Sequence, residues 1–157
     1  MSSYLVIANK VQPFSGPMLK SPEVFDLMMR HGCWEYTDSA PYFPTMKAGD
    51  ELFFYLGGPG ARYFGGEALV AGPGQPITKD SPKTFNRNDV PFYTWRLPLQ
   101  DMVSYEPGQV GLETLEKVSW VVASPVERKY IGLLLRVGCR KLTPEDVSLI
   151  RGAAGRR

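Results

Sequence analysis

The chain has 157 residues, 43% of them hydrophobic, 22% charged and 12% aromatic, with a net charge of +2. That is about one domain's worth of sequence, apolar enough to fill a core, which excludes a disordered tail. The longest apolar run, Tyr4-Leu5-Val6-Ile7-Ala8, falls far short of the roughly 20 residues of a membrane span, and no basic stretch precedes it as in a secretory signal.

Tyr4 to Ala8 reads as a buried central strand ending at Asn9, and Pro13, Gly16 and Pro17 mark a loop. A helix follows, with Ser21 at its N-cap, Pro22 at the first helical position, and Glu23 and Asp26 near the positive end of the dipole. Val24, Leu27 and Met28 form its buried stripe, widened by Phe25 and Met29. Arg30 and His31 occupy the last turn, and Gly32 supplies the left-handed cap, so Trp34 is delivered from the helix end.

After Pro41, Pro44 and the turn Ala48-Gly49-Asp50, Leu52 to Leu56 reads as a strand. Leu52, Phe54 and Leu56 share one face, and Phe53 and Tyr55 the other. Gly57-Gly58-Pro59-Gly60 links it to a return strand, Arg62 to Ala71, in which Gly65-Gly66 predicts a bulge or a close backbone approach. Gly72 to Pro91 reads as a long loop, of a length that is usually either functional or disordered, carrying Lys79, Lys83 and Arg87.

Phe92–Leu99 and Val118–Val122 read as strands, with Tyr105 to Gly111 a turn between them. Ser124-Pro125-Val126-Glu127 has the form of a capping box, opening a helix with a stripe of Tyr130, Leu133, Leu134 and Val137. Thr143-Pro144-Glu145-Asp146 starts a last helix through Ile150, closed by Gly152, and residues 153–157 form a frayed basic tail. The order implies a single α+β domain over 1–157 whose strands curl toward a barrel.

Chemistry is sparse. The chain has one histidine, His31, so a Ser-His-Asp or Cys-His system has one candidate and a zinc site lacks its usual imidazoles. His31-Gly32-Cys33 is expected to be a helix end plus a buried thiol. Cys33 and Cys139 cannot build a disulfide scaffold, which suits reduced thiols in a cytoplasmic protein.

Four stretches carry a resemblance: the first strand ending in Asn9, the Gly32-Cys33-Trp34-Glu35 segment, Lys47-Ala48-Gly49-Asp50-Glu51-Leu52-Phe53-Phe54-Tyr55, and Tyr63-Phe64-Gly65-Gly66-Glu67-Ala68. Together with the close Leu135 to Asp146, they resemble the EVE domain of the PUA-like superfamily, related to YTH and ASCH domains. The resemblance implies a twisted antiparallel sheet or pseudo-barrel flanked by helices, with a pocket for a modified base. YTH relatives bind N6-methyladenine in RNA, and EVE domains are associated with modified cytosine or adenine in DNA. The two tryptophans that hold the base in that superfamily fall here at Trp34 and Trp95, and the asparagine at the base edge falls at Asn9.

A modified-base pocket needs flat apolar walls and a few fixed hydrogen-bond groups, and one aromatic stack contributes about 1–3 kcal/mol. The sequence-level candidates for base binding are Asn9, Trp34, Tyr55 and Trp95. Each has a plain alternative: core packing for the aromatics, or a strand-end cap for Asn9. Trp120 reads as core. From Trp120 onward eight basic residues face three acidic ones. That bias nominates Arg128, Lys129, Arg140 and Lys141 for phosphates, alongside Lys79, Lys83 and Arg87, against the alternative of a solvated helical face.

The expected protein is thus a non-catalytic reader of methylated or hydroxymethylated cytosine or adenine in DNA or RNA. No cofactor or metal is implied, and an effector partner such as a nuclease would supply the output. An ASCH-like hydrolase of modified nucleosides is the alternative, with Lys10, Glu35 and Glu67 as candidate groups. A protein-interaction module with a filled barrel is the third possibility.

Overall fold

Residues 1–12, 16–78, 80–81 and 93–156 are described by the structure, a computed structural model. In chain order the elements are β1 (Ser3–Ala8), α1 (Ser21–His31), β2 (Cys33–Tyr36), a 3-10 turn (Phe43–Thr45), β3 (Glu51–Leu56), β4 (Tyr63–Val70), β5 (Gln75–Pro76) and β6 (Trp95–Ser104). Two short helices, α2 (Leu112–Leu115) and α3 (Ser119–Val122), lead to a 3-10 run (Arg128–Val137), β7 (Cys139–Leu142) and α4 (Pro144–Ala153). Lys79, Lys83 and Arg87 lie outside the described residues, as does the strand start expected at Phe92.

The sheet runs β2-β6-β4-β3-β1-β7, with β5 beside β6. It is mixed rather than wholly antiparallel: β1 pairs parallel with β3, from Ser3 opposite Glu51 to Ala8 opposite Leu56. A parallel pair requires a crossover, and α1 with β2 occupies the chain between the two strands. Periodicity carries burial and not strand direction, so this pairing is absent from the sequence pattern.

β1 and β3 are apolar on both sides because a core lies against each face. Tyr4, Val6, Ala8, Leu52, Phe54 and Leu56 pack with Val24, Phe25 and Met28 of α1. Leu5, Ile7, Phe53 and Tyr55 face the other way, toward Leu115, Val121, Val147 and Ile150. A fully buried side chain of this kind contributes about 1.5–3 kcal/mol, and these two strands contribute to both layers at once.

The glycine pair in β4 does both things the sequence predicts. Phe54 pairs with Gly66 and Tyr55 with Phe64, leaving Gly65 as the extra residue of a bulge. At Gly66 a Cβ would collide with the backbone carbonyl of Val103 and stand 3.1 Å from Phe25 Cζ.

Three expectations need correction. Val118–Val122 was expected as a strand, but Ser119–Val122 is helical. Val118 and Val121 reach the second core at helical spacing, and Asp146 caps the turn by accepting from Ser119 N–H (2.9 Å) and Oγ (2.7 Å). The helix expected after Ser124 is instead a 3-10 run with non-helical geometry at Tyr130 (φ −106°, ψ 19°). Its Ile131, Leu134 and Leu135 pack on the second core, leaving Tyr130 and Leu133 out. The tail is not frayed through Arg156, which bonds Glu67 (2.8 Å). Arg157 lies outside the described residues.

Gly66→Ala is expected to lower unfolding free energy by about 1–3 kcal/mol in urea titration, because backbone atoms cannot yield. Gly72→Ala, whose Cβ would meet Pro98 Cγ at 3.8 Å, should stay within about 0.5 kcal/mol of the parent. Burial opposes the charge on Asp146, but hydrogen bonds from Ser119 and Thr143 prevail and hold its carboxyl below its ordinary value of 3.8. A depressed folded-state pKa contributes stability above that ordinary value, lost as pH falls through the folded one. Asp146→Ala should therefore cost about 1–3 kcal/mol at neutral pH, and the gap to the parent should close in acid.

Candidate nucleic-acid interface

Because β1 and β3 run parallel, their carboxyl ends emerge at one edge of the sheet, and α1 begins there. Ser21 is buried as the first residue of α1 and donates its Oγ to the Gly57 carbonyl (2.6 Å). The Gly57 N–H in turn donates to the Ala8 carbonyl (3.0 Å). These two bonds tie the helix start, the end of β1 and the β3–β4 turn together. Ser21 is thus spent on tertiary structure, and Lys20 takes the N-cap position expected for it.

Between these three pieces opens a cavity of about 590 Å³, lined by Asn9, Lys10, Met18, Lys20, Ser21, Gly57, Gly58 and Pro59. Its size falls within the roughly 300–1,000 Å³ of small-ligand sites. The exposed Asn9 amide offers both donors and an acceptor. Lys10 and Lys20 bring two positive charges, to which the amino end of α1 adds its dipole. Met18, 45% exposed, and Pro59 supply apolar surface. Gly57 keeps the Asn9 side clear: a Cβ there would stand 3.4 Å from Asn9 Oδ1.

No protein-family model matches the chain, and no curated protein sequence does. Solved structures do. Human THYN1 in complex with DNA containing 5-methylcytosine aligns with a TM-score of 0.58 at 15% identity, over 100% of this chain and 99% of that one. The DUF55 domain of human thymocyte nuclear protein 1 aligns at 0.56 with 17% identity, over 95% and 96% of the two chains. A protein from Pseudomonas putida aligns at 0.58 with 16% identity, over 98% and 99%. The fold is that of the DUF55 domain. This is the PUA-like α+β architecture that the EVE resemblance implied.

On this DUF55 fold the expected aromatic residues separate. Trp34 is carried by β2, not by a loop, and is only 6% exposed; its ring lies 5.0 Å from that of Phe54. Trp95 pairs with Tyr36 across β2 and β6, so both tryptophans reach the same face. There Phe43, Tyr36 and Trp95 form a stack, with centroids 4.7 and 6.4 Å apart and planes within 13°. Trp95 is its half-buried outer member, with its indole N–H held by the Asp38 carboxylate. The described residues lining the Asn9 cavity include neither tryptophan.

Tyr55 needs a firmer correction. It belongs to the second core, on the sheet face away from Trp34, and Phe54 is the β3 ring that meets the tryptophan. Its hydroxyl is buried without a hydrogen-bond partner among the described residues, and burial raises its pKa, against the opposing pull of Arg62.

The basic candidates do not gather on one surface. Arg140 lies over the Trp120 ring, 5.3 Å from its centroid, and Trp120 packs against the second core as expected. Lys141 lines a separate cavity of about 400 Å³ with Ser3 and Glu51, at the opposite end of β1. Lys129 is exposed and pairs with Glu127 at 3.4 Å. Of Arg128 the structure describes only the backbone.

The groups considered for catalysis are largely committed elsewhere. Arg96 Nε donates to Glu35 (2.9 Å). Glu67 accepts from Tyr105 Oη (2.6 Å), Arg151 and Arg156. Burial pushes the thiols of Cys33 and Cys139 up to about 11 and 12, so neither is a ready thiolate. Lys10 alone of these reaches the cavity.

Sequence reading missed Lys20 and Ser21 as site residues. The available signal was their place at a helix start facing a glycine-rich turn, but nothing local says that the turn approaches. Ser21→Ala removes the clasp on Gly57 and should cost about 1–2 kcal/mol, measured by thermal or urea unfolding.

Proposed function

We propose that this chain binds DNA carrying a modified base, receives that base in the Asn9 cavity, and acts by binding without chemistry of its own. The observation that carries this reading is the exposed Asn9 amide at a concave, base-sized site flanked by Lys10 and Lys20. The shared fold with THYN1, solved with 5-methylcytosine DNA, makes C5-methylated cytosine the first modification to test.

The physical steps follow from the residues. A base extruded from the duplex exposes its edge, and the Asn9 amide has the donor and acceptor pair that such an edge requires. Met18 and Pro59 offer the apolar contact a methyl group needs, on the order of 0.8 kcal/mol per buried carbon. Lys10 and Lys20 neutralise the flanking phosphates. A reader without chemistry delivers its output through a partner, and a nuclease fits that role.

Fluorescence anisotropy with oligonucleotides bearing 5-methylcytosine, 5-hydroxymethylcytosine, N6-methyladenine or no modification tests the reading. Preference for a modified oligonucleotide is expected, and Asn9→Ala should flatten that preference. Lys10→Ala and Lys20→Ala should weaken binding to every oligonucleotide alike and reduce the salt slope by about 0.9 per lost phosphate contact. Equal affinity of the parent for all four oligonucleotides would sink selective reading.

A second reading rests on Trp95, whose outer face extends the Phe43–Tyr36 stack and would carry a base. Under it, Trp95→Ala costs about 1–3 kcal/mol of binding while Asn9→Ala leaves the preference intact.

A further inference from the structure

Three buried side-chain polar atoms have no hydrogen-bond partner among the described residues: Tyr55 Oη, Trp120 Nε1 and Arg140 Nε. The last two are both N–H donors and belong to one contact, because the Arg140 guanidinium lies over the Trp120 ring, 5.3 Å from its centroid. Nearly all buried donors in folded proteins are paired, so an unpaired one points to an acceptor that the chain does not supply. Two in a single contact, one of them cationic, point to an anion.

The fold holds both groups in place. Arg140 stands opposite Leu5 in the β1–β7 pairing, on the second-core face of a strand at the edge of the sheet. Trp120 packs on that same core, and Asp146 pins the residue before it by accepting from Ser119 N–H and Oγ. With the further bond from Thr143 N–H (3.1 Å), both oxygens of Asp146 are engaged. The ion pairs among the described residues take up Arg96, Lys129, Arg151 and Arg156, and none includes Arg140. Arg140 and Trp120 are each half-buried, so their contact is reached from the surface.

We infer that Arg140 and Trp120 form a binding site for a phosphate group. The guanidinium fork matches two oxygens of an oxyanion. Because it lies over the indole, the two sets of donors stand in different layers. A flat carboxylate fills one fork and leaves the indole N–H unmet, whereas a tetrahedral oxyanion has oxygens in both layers. Apolar surroundings strengthen each such bond, since little water competes for the donors. The phosphate group comes either from free inorganic phosphate or from the backbone of a bound nucleic acid. The site faces the second core, whereas α1 and the Asn9 edge lie with the first, so it does not depend on the base-site reading.

The test is a nitrogen-15 NMR titration of the full chain at constant ionic strength. It follows the Trp120 indole N–H and the Arg140 Nε–H, assigned by Trp120→Phe and Arg140→Lys. Inorganic phosphate is expected to move both signals to saturation, and acetate to bind about tenfold more weakly. Arg140→Lys keeps the charge without the fork, and Trp120→Phe keeps a ring without the donor. Each variant, with melting unchanged, should weaken phosphate binding about tenfold, read on the signal that remains. An unmodified DNA duplex that moves the same two signals identifies the backbone as the source, and a response to inorganic phosphate alone identifies the free anion. Signals unmoved by both phosphate and DNA, equal affinity for phosphate and acetate, or full phosphate binding by both variants would overturn the site. A water contact at the Trp120 indole that persists without any anion response would assign the donors to water and overturn it too.

Discussion

The parallel pairing of β1 with β3 governs the geometry of this protein. It forces a crossover between them, and that crossover is α1 and β2. It also sends both carboxyl ends to one edge, where the Gly57 backbone joins Ala8 and Ser21 and the cavity opens. Reversing either strand would move Asn9 and Gly57 to opposite edges and abolish the site. Two cores protect this pairing: alternate side chains of the same two strands are buried on opposite faces, so neither strand can shift register without exposing both layers.

Charge is used here mostly as structure. Arg151 bridges Glu51 and Glu67, and Arg156 and Tyr105 complete the set around Glu67. This fastens α4 to the sheet across a surface where an unpaired carboxylate would be costly. Asp146 does the same between α3 and α4, and Asp38 steadies Trp95. At the Asn9 edge, Glu23 turns back onto the Lys20 N–H (3.1 Å).

How much of the site was legible varies by residue. Asn9 was visible as the polar stop of an apolar strand, and the structure places it in a cavity. The alternation in β3 correctly set Phe54 and Tyr55 on opposite faces, yet it did not say which face the tryptophans would share. Trp34 follows a helix cap in sequence, which suits a projecting loop residue equally well. Only its pairing with Leu97 across β6 decided that it is buried. The basic residues of the last third looked like one patch because sequence distance hides direction. On β7, Arg140 and Lys141 alternate across the sheet, so Arg140 joins the Trp120 ring and Lys141 joins the far cavity.

The chain by itself determined what depends on neighbours a few residues apart: α1 with its Gly32 stop, the β3–β4 hairpin with its glycine bulge, and the capped start of α4. Caps, turns and periodic burial are local forces, and they are written in the residues that exert them. Tertiary structure alone decided the direction of β1 against β3, the helical state of Ser119–Val122, and the outward turn of Tyr130 and Leu133. Each of these depends on partners far along the chain, such as Asp146 for Ser119 or Gly57 for Ser21, whose approach no local preference encodes.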